Sequence, residues 1–388
     1  MKPTILAIAS ELKGLPYLVE CHRQGFHVLL VMNERLKDEL WPWECIDEHF
    51  LMPEVRRQPD MTYAVSYLAR DRHIERIVAL DDYDVEMAAA LREHLRLPGM
   101  GDSAARLFRD KLANRTTINQ QGIREPGFTG IFNFDDLREF MHTYKAPWVL
   151  KPRMLAGSEG ISKLEESESL WRKLDELGDQ KSFYLLEQFI PGDVYHVDAL
   201  VWQGEVVFSL VSKYGVPPMA ALQGRGVFST RVLPRDHEDA LALQSLNKQV
   251  VKALGRQYGP THTEFIKAHH DGQFYFLETA ARVGGGNIEK LIEAATGLVI
   301  WQEAARIDLA ELKAENYKPP KVKKGYAGLI AAPSKIPFAD TSSLDYSEIF
   351  FRPRSQEFVS LILKTKSFKA TEALLAEIAQ RFQEDFMP

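Results

Sequence analysis

Cysteine is nearly absent. Only Cys21 and Cys45 occur in 388 residues, and neither sits in a CxxC or other metal-ligand spacing, so a disulfide framework and a structural zinc site are not indicated. A reducing, cytoplasmic setting fits. No apolar run approaches the roughly 20 residues that a membrane-spanning helix requires, and the first one, Ile5 to Ala9, is too short for a signal-peptide core. A soluble protein without a membrane partner is expected. A broad basic field is also missing: the formal net charge is −6, which argues against sequence-independent nucleic-acid binding and toward small-molecule partners. There is no GxxxxGK[ST] segment, so a P-loop is excluded. Internal repeats, low-complexity tracts and heptad series are lacking too.

What is present is a globular composition, 45% hydrophobic and 26% charged, on a chain long enough for two or three cores. The first segment reads as strand, helix, strand (TILAIAS, LPYLVECHRQG, FHVLLVMN), with Gly25 closing the helix. A further strand RIVALDD precedes the helix VEMAAALREHL and its stop LPG. Such a parallel α/β unit binds ligands beyond the C-terminal ends of its strands. Asp81 and Asp82 therefore either line a site or cap the following helix. From about Ser103 a second unit begins with a helix over RLFRDKLANRTTINQQG and continues with short strands. Strand-rich text follows (SFYLLEQFI, VYHVDALVWQGEVVFSLVSKYG), then a long helix from His237, two strands around Glu264 and Glu278, and a tail with the strand YAGLIAAP and the helix ATEALLAEIAQRFQEDF. The expected division is 1–102, 103–185, 186–318 and 319–388.

Two lysines stand at element ends 40 residues apart, Lys111 in a helical segment and Lys151 closing PWVLK. After Lys151 comes PRMLAGSEGI, where Gly157 and Gly160 flank Ser158. Glycines let backbone N–H groups turn toward phosphate oxygens; an ordinary hairpin turn is the other reading of the same residues. Glu187 ends the apolar strand of YLLEQFIPGD before a Pro-Gly bend, where a strand offers backbone donor, acceptor and apolar faces to an adenine ring. Glu264 (THTEFIKA) and Glu278 (FYFLETAARVGGGN) lie on strands joined by HHDGQ, so a hairpin brings the carboxylates to one end of a sheet. Paired carboxylates suit Mg²⁺ on nucleotide phosphates; two solvated edge-strand glutamates are the plainer reading. Arg282 precedes Gly284, Gly285, Gly286 and the helix-opening Asn287. A guanidinium beside a glycine-rich helix start can hold a phosphoryl group or a carboxylate.

This order of features resembles the ATP-grasp superfamily over nearly the whole chain. The resemblance implies an α/β and α+β fold, an N-terminal parallel α/β domain preceding two α+β subdomains with ATP between them. It implies ATP and Mg²⁺, with Mn²⁺ as the alternative ion, and it assigns Lys111, Lys151, Gly157, Ser158 and Gly160 to phosphates, Glu187 and Ile190 to adenine, and Glu264 and Glu278 to the metal. The family's third metal ligand, an Asn, is here Ala280. Its ribose-binding acid falls on Val194, so either Asp193 beside it substitutes or the loop is shifted. HTEF followed by ETAARVGGGN is most similar to the dipeptide-forming L-amino-acid ligases, where Ala-Ala-Arg replaces Asn-Pro-Arg. That implies carboxylate and amine substrates joined through an acyl phosphate, with Arg282 at the transferring group, His262 either hydrogen-bonding the intermediate or structural, and a homodimer. A bicarbonate-using carboxylase is the second reading, kept by the echo of the biotin carboxylase strand in YHVDALV and opposed by the lack of a Met-Lys-Met biotinylation site. A non-catalytic nucleotide-binding scaffold is the third, and the retained lysines and glutamates oppose it. The loop GVPPMAALQGRGVFS (215–229) reads as a cover over the site, with Lys213 and Arg225 facing either a carboxylate or solvent.

Overall fold

The computed structural model describes residues 2–157, 159–217 and 227–387; Ser158 and the greater part of the 215–229 loop, Arg225 included, lie outside the described residues. The chain opens with β1 (Thr4–Ala9), α1 (Leu15–Arg23), β2 (His27–Asn33), β3 (Glu48–Met52), α2 (Asp60–Leu68), β4 (Ile74–Ala79) and α3 (Val85–Leu95). The strands form a parallel sheet in the order β3-β2-β1-β4. Every residue of β1 is buried, because both faces of a parallel sheet are covered by its crossover helices. Ile5, Ala7 and Ala9 meet α1 through Tyr17 and Leu18, while Leu6 and Ile8 meet α2 and α3 through Met61, Val65 and Leu91. Gly25 takes φ +84° just beyond α1 and returns its N–H to His22 O at 2.9 Å. This is the left-handed helix stop read from the sequence.

Next come α4 (Asp102–Arg109), α5 (Lys111–Gln120), β5 (Phe128–Gly130), α6 (Phe134–Thr143), β6 (Trp148–Pro152), β7 (Ser162–Leu164), α7 (Ser167–Leu177) and β8 (Tyr184–Gln188). The strands make an antiparallel sheet ordered β5-β8-β6-β7, covered by α6 and α7 through Leu137, Phe140, Leu170 and Leu174. The single helix expected over RLFRDKLANRTTINQQG is two. Asp110 is extended, with ψ 107°, and its carboxylate accepts the Leu112 N–H at 3.0 Å, so a new helix begins at Lys111.

The remainder is β9 (Gly192–Trp202), β10 (Glu205–Tyr214), β11 (Phe228–Val232), α8 (Glu238–Ala253), β12 (Tyr258–Ala268), β13 (Phe274–Ala280), α9 (Ile288–Thr296), α10 (Ile300–Leu312), β14 (Tyr326–Pro333), β15 (Ile349–Phe351), β16 (Phe358–Thr365) and α11 (Phe368–Asp385). The eight strands form one antiparallel sheet, β13-β12-β9-β10-β11-β14-β16-β15, so the segment after residue 319 adds strands to the same sheet. Helix α8 covers one face, with Leu243 and Val250 against Tyr195, Val197 and Phe265. The other face shares a continuous core with α10 and the first sheet, running from Leu200 and Trp202 through Trp301 and Ala305 to Tyr17 and Ile5. The ends of the parallel strands are thereby held against the β12–β13 hairpin. No described helix is long and apolar enough to cross a membrane.

One buried acid ties the first strand's end to α3. Asp84 is 0% exposed and accepts the Ser10 N–H at 3.0 Å. Burial pushes its carboxyl up to about 7, and Asp81 adds to the rise, against the lowering effect of the Ser10 bond. The folded chain therefore holds a proton that the unfolded chain releases near the ordinary value of about 4, so this group's contribution falls as pH rises from about 4 to about 7. Asp84→Asn keeps an acceptor for Ser10 and removes the titration. Urea melts are expected to show a flatter stability–pH curve for the variant over that window and higher stability than wild type near pH 8; an unchanged slope would show that Asp84 is ionised in the folded protein.

Candidate active site

The β12–β13 hairpin sets Glu264 directly opposite Glu278, and His262 opposite Ala280. Alternate residues of one strand and their cross-strand partners share a face, so all four side chains point the same way, and all four line one cavity. Glu264 accepts the Tyr214 hydroxyl at 2.7 Å. Ala280 brings a methyl group to the place where the resembling family has an Asn.

Cations approach this pair from the second unit. The break at Asp110, whose carboxylate also pairs with Arg153, places Lys111 in the first turn of α5. Its ammonium lies 3.1 Å from Glu278 Oε2 and donates to Leu155 O at 2.6 Å. One helical turn on, Arg115 is 0% exposed; it pairs with Glu187 and donates to Phe276 O. Glu187 also takes the Lys151 ammonium at 2.5 Å. Burial pulls the Lys151 ammonium below its usual value, opposed by Glu187 and helped by Arg115. Burial works to raise Glu278, but Lys111 and Lys151 outweigh it and hold the carboxyl below the usual range.

Two cavities meet at this cluster. The first, about 240 Å³, lies between the two antiparallel sheets, with Val149, Ile161, Ile190, Ile266 and Leu277 as apolar walls and Lys151 and Lys163 as cations. The second, about 520 Å³, opens toward the parallel sheet and is lined by Lys13, Asp81, Asp82, Arg109, Arg282 and Asn287 among others. Lys111, Leu155, Glu264 and Glu278 line both. The glycine loop joins the antiparallel partners β6 and β7, so it is a hairpin loop, yet it also faces the site: Gly157, at φ +65°, lines the larger cavity and Glu159 the smaller. Gly160, at φ +70°, packs where a Cβ would come within 2.8 Å of Pro152.

Asp193 does not line either of these cavities. It binds Lys213 at 2.8 Å, which lowers its pKa against the effect of burial. Val194 lines the smaller cavity instead. Asp81 and Asp82 both line the larger cavity and both have local partners: Asp81 accepts the Tyr83 N–H at 3.1 Å and pairs with Lys13, while Asp82 pairs with Arg109 and lies 3.4 Å from Arg282 Nε. Arg282 also donates to Val283 O at 2.9 Å. Asn287 holds φ +66° at the start of α9 and makes no side-chain capping bond.

Beneath the carboxylate pair runs a buried polar chain that sequence reasoning only touched. Asp198 Oδ1 accepts His262 Nδ1–H at 2.8 Å, Asp198 Oδ2 lies 2.7 Å from His196 Nδ1, and His196 Nε2 lies 2.8 Å from Thr230 Oγ1. Burial alone would lower His262, but the Asp198 carboxylate prevails and lifts it to about 9. His262 Nε2 stands 3.6 Å from Glu264 Oε1. The i, i+2 spacing of His196 and Asp198 on one strand was a readable signal for this pair. Arg115, four residues after Lys111, was likewise readable as sharing its helix face. Nothing local marked Tyr214 or Arg109.

Gly284 packs against this chain. A Cβ there would lie 2.8 Å from Asp198 Oδ1, 2.9 Å from Ile288 Cγ2 and 3.0 Å from His262 Nδ1. Gly284→Ala is therefore expected to lower stability by about 1–3 kcal/mol in a denaturant melt, and to displace the His262 imidazole resonances in NMR spectra. A variant with both unchanged would remove Gly284 from contact with the Asp198–His262 pair.

Residues 144–290 match the ATP-grasp domain family. Among curated proteins, the chain is 27% identical over 244 residues to an L-arginine-specific L-amino acid ligase of Bacillus subtilis, covering 61% of this chain and 58% of that protein. It is 24% identical over 234 residues to an alanine–anticapsin ligase of Bacillus subtilis strain 168, covering 54% and 48%. The match thus spans about half the length of these relatives. The solved L-amino acid ligase of Bacillus licheniformis superposes with a TM-score of 0.77 at 20% identity, over 100% of this chain and 98% of that one, which is a likeness of fold. The chain has the ATP-grasp fold, and residues 144–290 are the part that matches the ATP-grasp domain.

Proposed function

We propose that this protein is an ATP-dependent carboxylate–amine ligase that joins amino-acid substrates through an acyl phosphate. The observation that carries the reading is the shared wall: two facing carboxylates and a lysine line both an apolar slot of about 240 Å³ and a polar cavity of about 520 Å³. A phosphoryl group passing between occupants of the two cavities would cross at that wall. The names of the relatives, amino-acid ligases, support the same reaction class.

In this proposal the smaller cavity takes the nucleotide, with adenine against Ile190 and the backbone from Glu187, and phosphates toward Lys111, Lys151 and the loop bearing Gly157, Ser158 and Gly160. Lys111, Lys151 and Lys163 line this cavity and offer cationic partners to a polyphosphate. No nucleotide contact is placed on Asp193. Glu264 and Glu278 offer an all-oxygen donor set from adjacent strands, which fits Mg²⁺, or Mn²⁺, beside phosphates. When bound, such an ion neutralises charge on the transferring phosphoryl group.

The larger cavity takes the acids and the amine. Arg282 and the amides of Gly285 and Gly286 hold the carboxylate beside the shared wall. One carboxylate oxygen bonds to the γ-phosphorus as the bond to the ADP oxygen breaks. The amine then attacks the acyl carbon, and inorganic phosphate leaves as the amide forms. The Asp198 carboxylate raises the His262 pKa against the effect of burial, which suits the ring to hydrogen-bond donation toward the intermediate.

The test is ADP and phosphate release with Mg-ATP across pairs of the twenty amino acids, with mass spectrometry of the products and a parallel bicarbonate condition. A condensed product of two amino acids less water is expected. Bicarbonate-dependent ADP release without a condensed product would favour a carboxylase, and silence throughout would leave a substrate outside the twenty amino acids or a scaffold. Glu278→Gln is expected to lower turnover by roughly a hundredfold or more and to weaken Mg-ATP binding. Full activity would remove Glu278 from the site.

A further inference from the structure

A third cavity, about 370 Å³, lies behind the reaction site between β4, α3, the α8–β12 turn and α10. It is walled by Val85, Phe108 and Trp301 and holds the guanidiniums of Arg76, Arg92 and Arg256. Its two carboxylates are already engaged. Glu311 lies 2.8 Å and Asp308 4.0 Å from Arg76, and Asp308 accepts the Tyr17 hydroxyl at 2.8 Å. Arg92 is 9% exposed and donates only to backbone carbonyls, Ile77 O at 3.0 Å and Met100 O. Arg256 contacts Met100 Sδ at 3.6 Å and the Phe108 ring at 5.8 Å, and its Nε has no hydrogen-bond partner. Neither Arg92 nor Arg256 has a carboxylate partner among the described residues.

We propose that this cavity binds a small organic oxyanion, a phosphate monoester or a carboxylate, with its charged head between Arg92 and Arg256 and its apolar body against Phe108, Val85 and Trp301. Two partly desolvated guanidiniums sharing one cavity repel each other, and a forked oxyanion satisfies both at once. The volume is that of a metabolite pocket, larger than a bare ion needs. Burial draws both arginines down to about 10; Asp308 opposes it on Arg92, where Arg256 and Arg76 add to it, and Asp308 and Glu311 oppose it on Arg256. Arg282 lines both this cavity and the larger reaction cavity, so an occupant here would touch the back of the reaction site.

Binding is measured by calorimetry on the full chain without nucleotide, using inorganic phosphate, phenyl phosphate and benzoate as probes. Phenyl phosphate is expected to bind more tightly than inorganic phosphate, and benzoate shows whether a carboxylate head suffices. Arg256→Gln is expected to lose tenfold or more in affinity, while Lys248→Ala, on the exposed face of α8, retains wild-type affinity. Arg256→Lys, which preserves the charge without the fork, is expected to fall between and serves as the readout if the glutamine variant does not fold. No binding of any probe, or equal affinity in wild type and both Arg256 variants, would overturn the proposal. The binding assay contains no ATP and measures no turnover, so its failure is distinct from failure of the ligase reading.

Discussion

The site depends on one chain of paired charge, buried at Arg115, Glu187 and Lys151, that crosses between two sheets. Glu278 on β13 takes Lys111 from the first turn of α5, Arg115 on the next turn of that helix takes Glu187 on β8, and Glu187 takes Lys151 on β6. Each link removes charges from water, a loss recovered only by close pairing. Deleting one partner of such a chain leaves a buried charge uncompensated, at a cost of about 3–5 kcal/mol. The eight-stranded sheet and the smaller antiparallel sheet are therefore tied together at the wall the two cavities share.

The second constraint comes from the parallel sheet. Its strand ends deliver Asp81 and Asp82, which hold Lys13, Arg109 and Arg282 at the edge of the larger cavity. Because β1, α1, α10 and β9 share one hydrophobic core, these groups cannot drift relative to the β12–β13 hairpin without opening that core. Below the hairpin, the Asp198 carboxylate fixes the orientation of the His262 ring, and Gly284 lets the chain after Arg282 pass close above it. The three glycines following Val283 thus have different uses: Gly284 is required by packing, and Gly285 and Gly286 line the cavity.

Much of this was legible in the sequence wherever the signal is local. The alternating pattern of the β12–β13 segments places Glu264 opposite Glu278, and Gly25 stops α1 as its position implies. The strand, helix, strand opening is a parallel sheet. Asp110 was misread because a capping residue inside a long polar helical pattern is visible only once its side chain turns back on its own backbone and takes Arg153. Tyr214 and Arg109 were missed since they reach the site from elements whose place in the fold is set by long-range pairing. Asp193 shows the limit of carrying a family position across one residue: on alternating strand positions a shift of one turns the side chain to the other face, and Lys213 holds it there.

The central claim is that a phosphoryl group crosses the shared wall onto a substrate carboxylate. The most direct measurement is to label that carboxylate with ¹⁸O, in the amino-acid pair that best supports ADP release, and to follow the label by mass spectrometry. The account predicts ADP as the nucleotide product and one labelled oxygen in the inorganic phosphate released. Label appearing in AMP, or phosphate carrying none of it while product accumulates, would contradict an acyl phosphate formed at the Glu264–Glu278 wall.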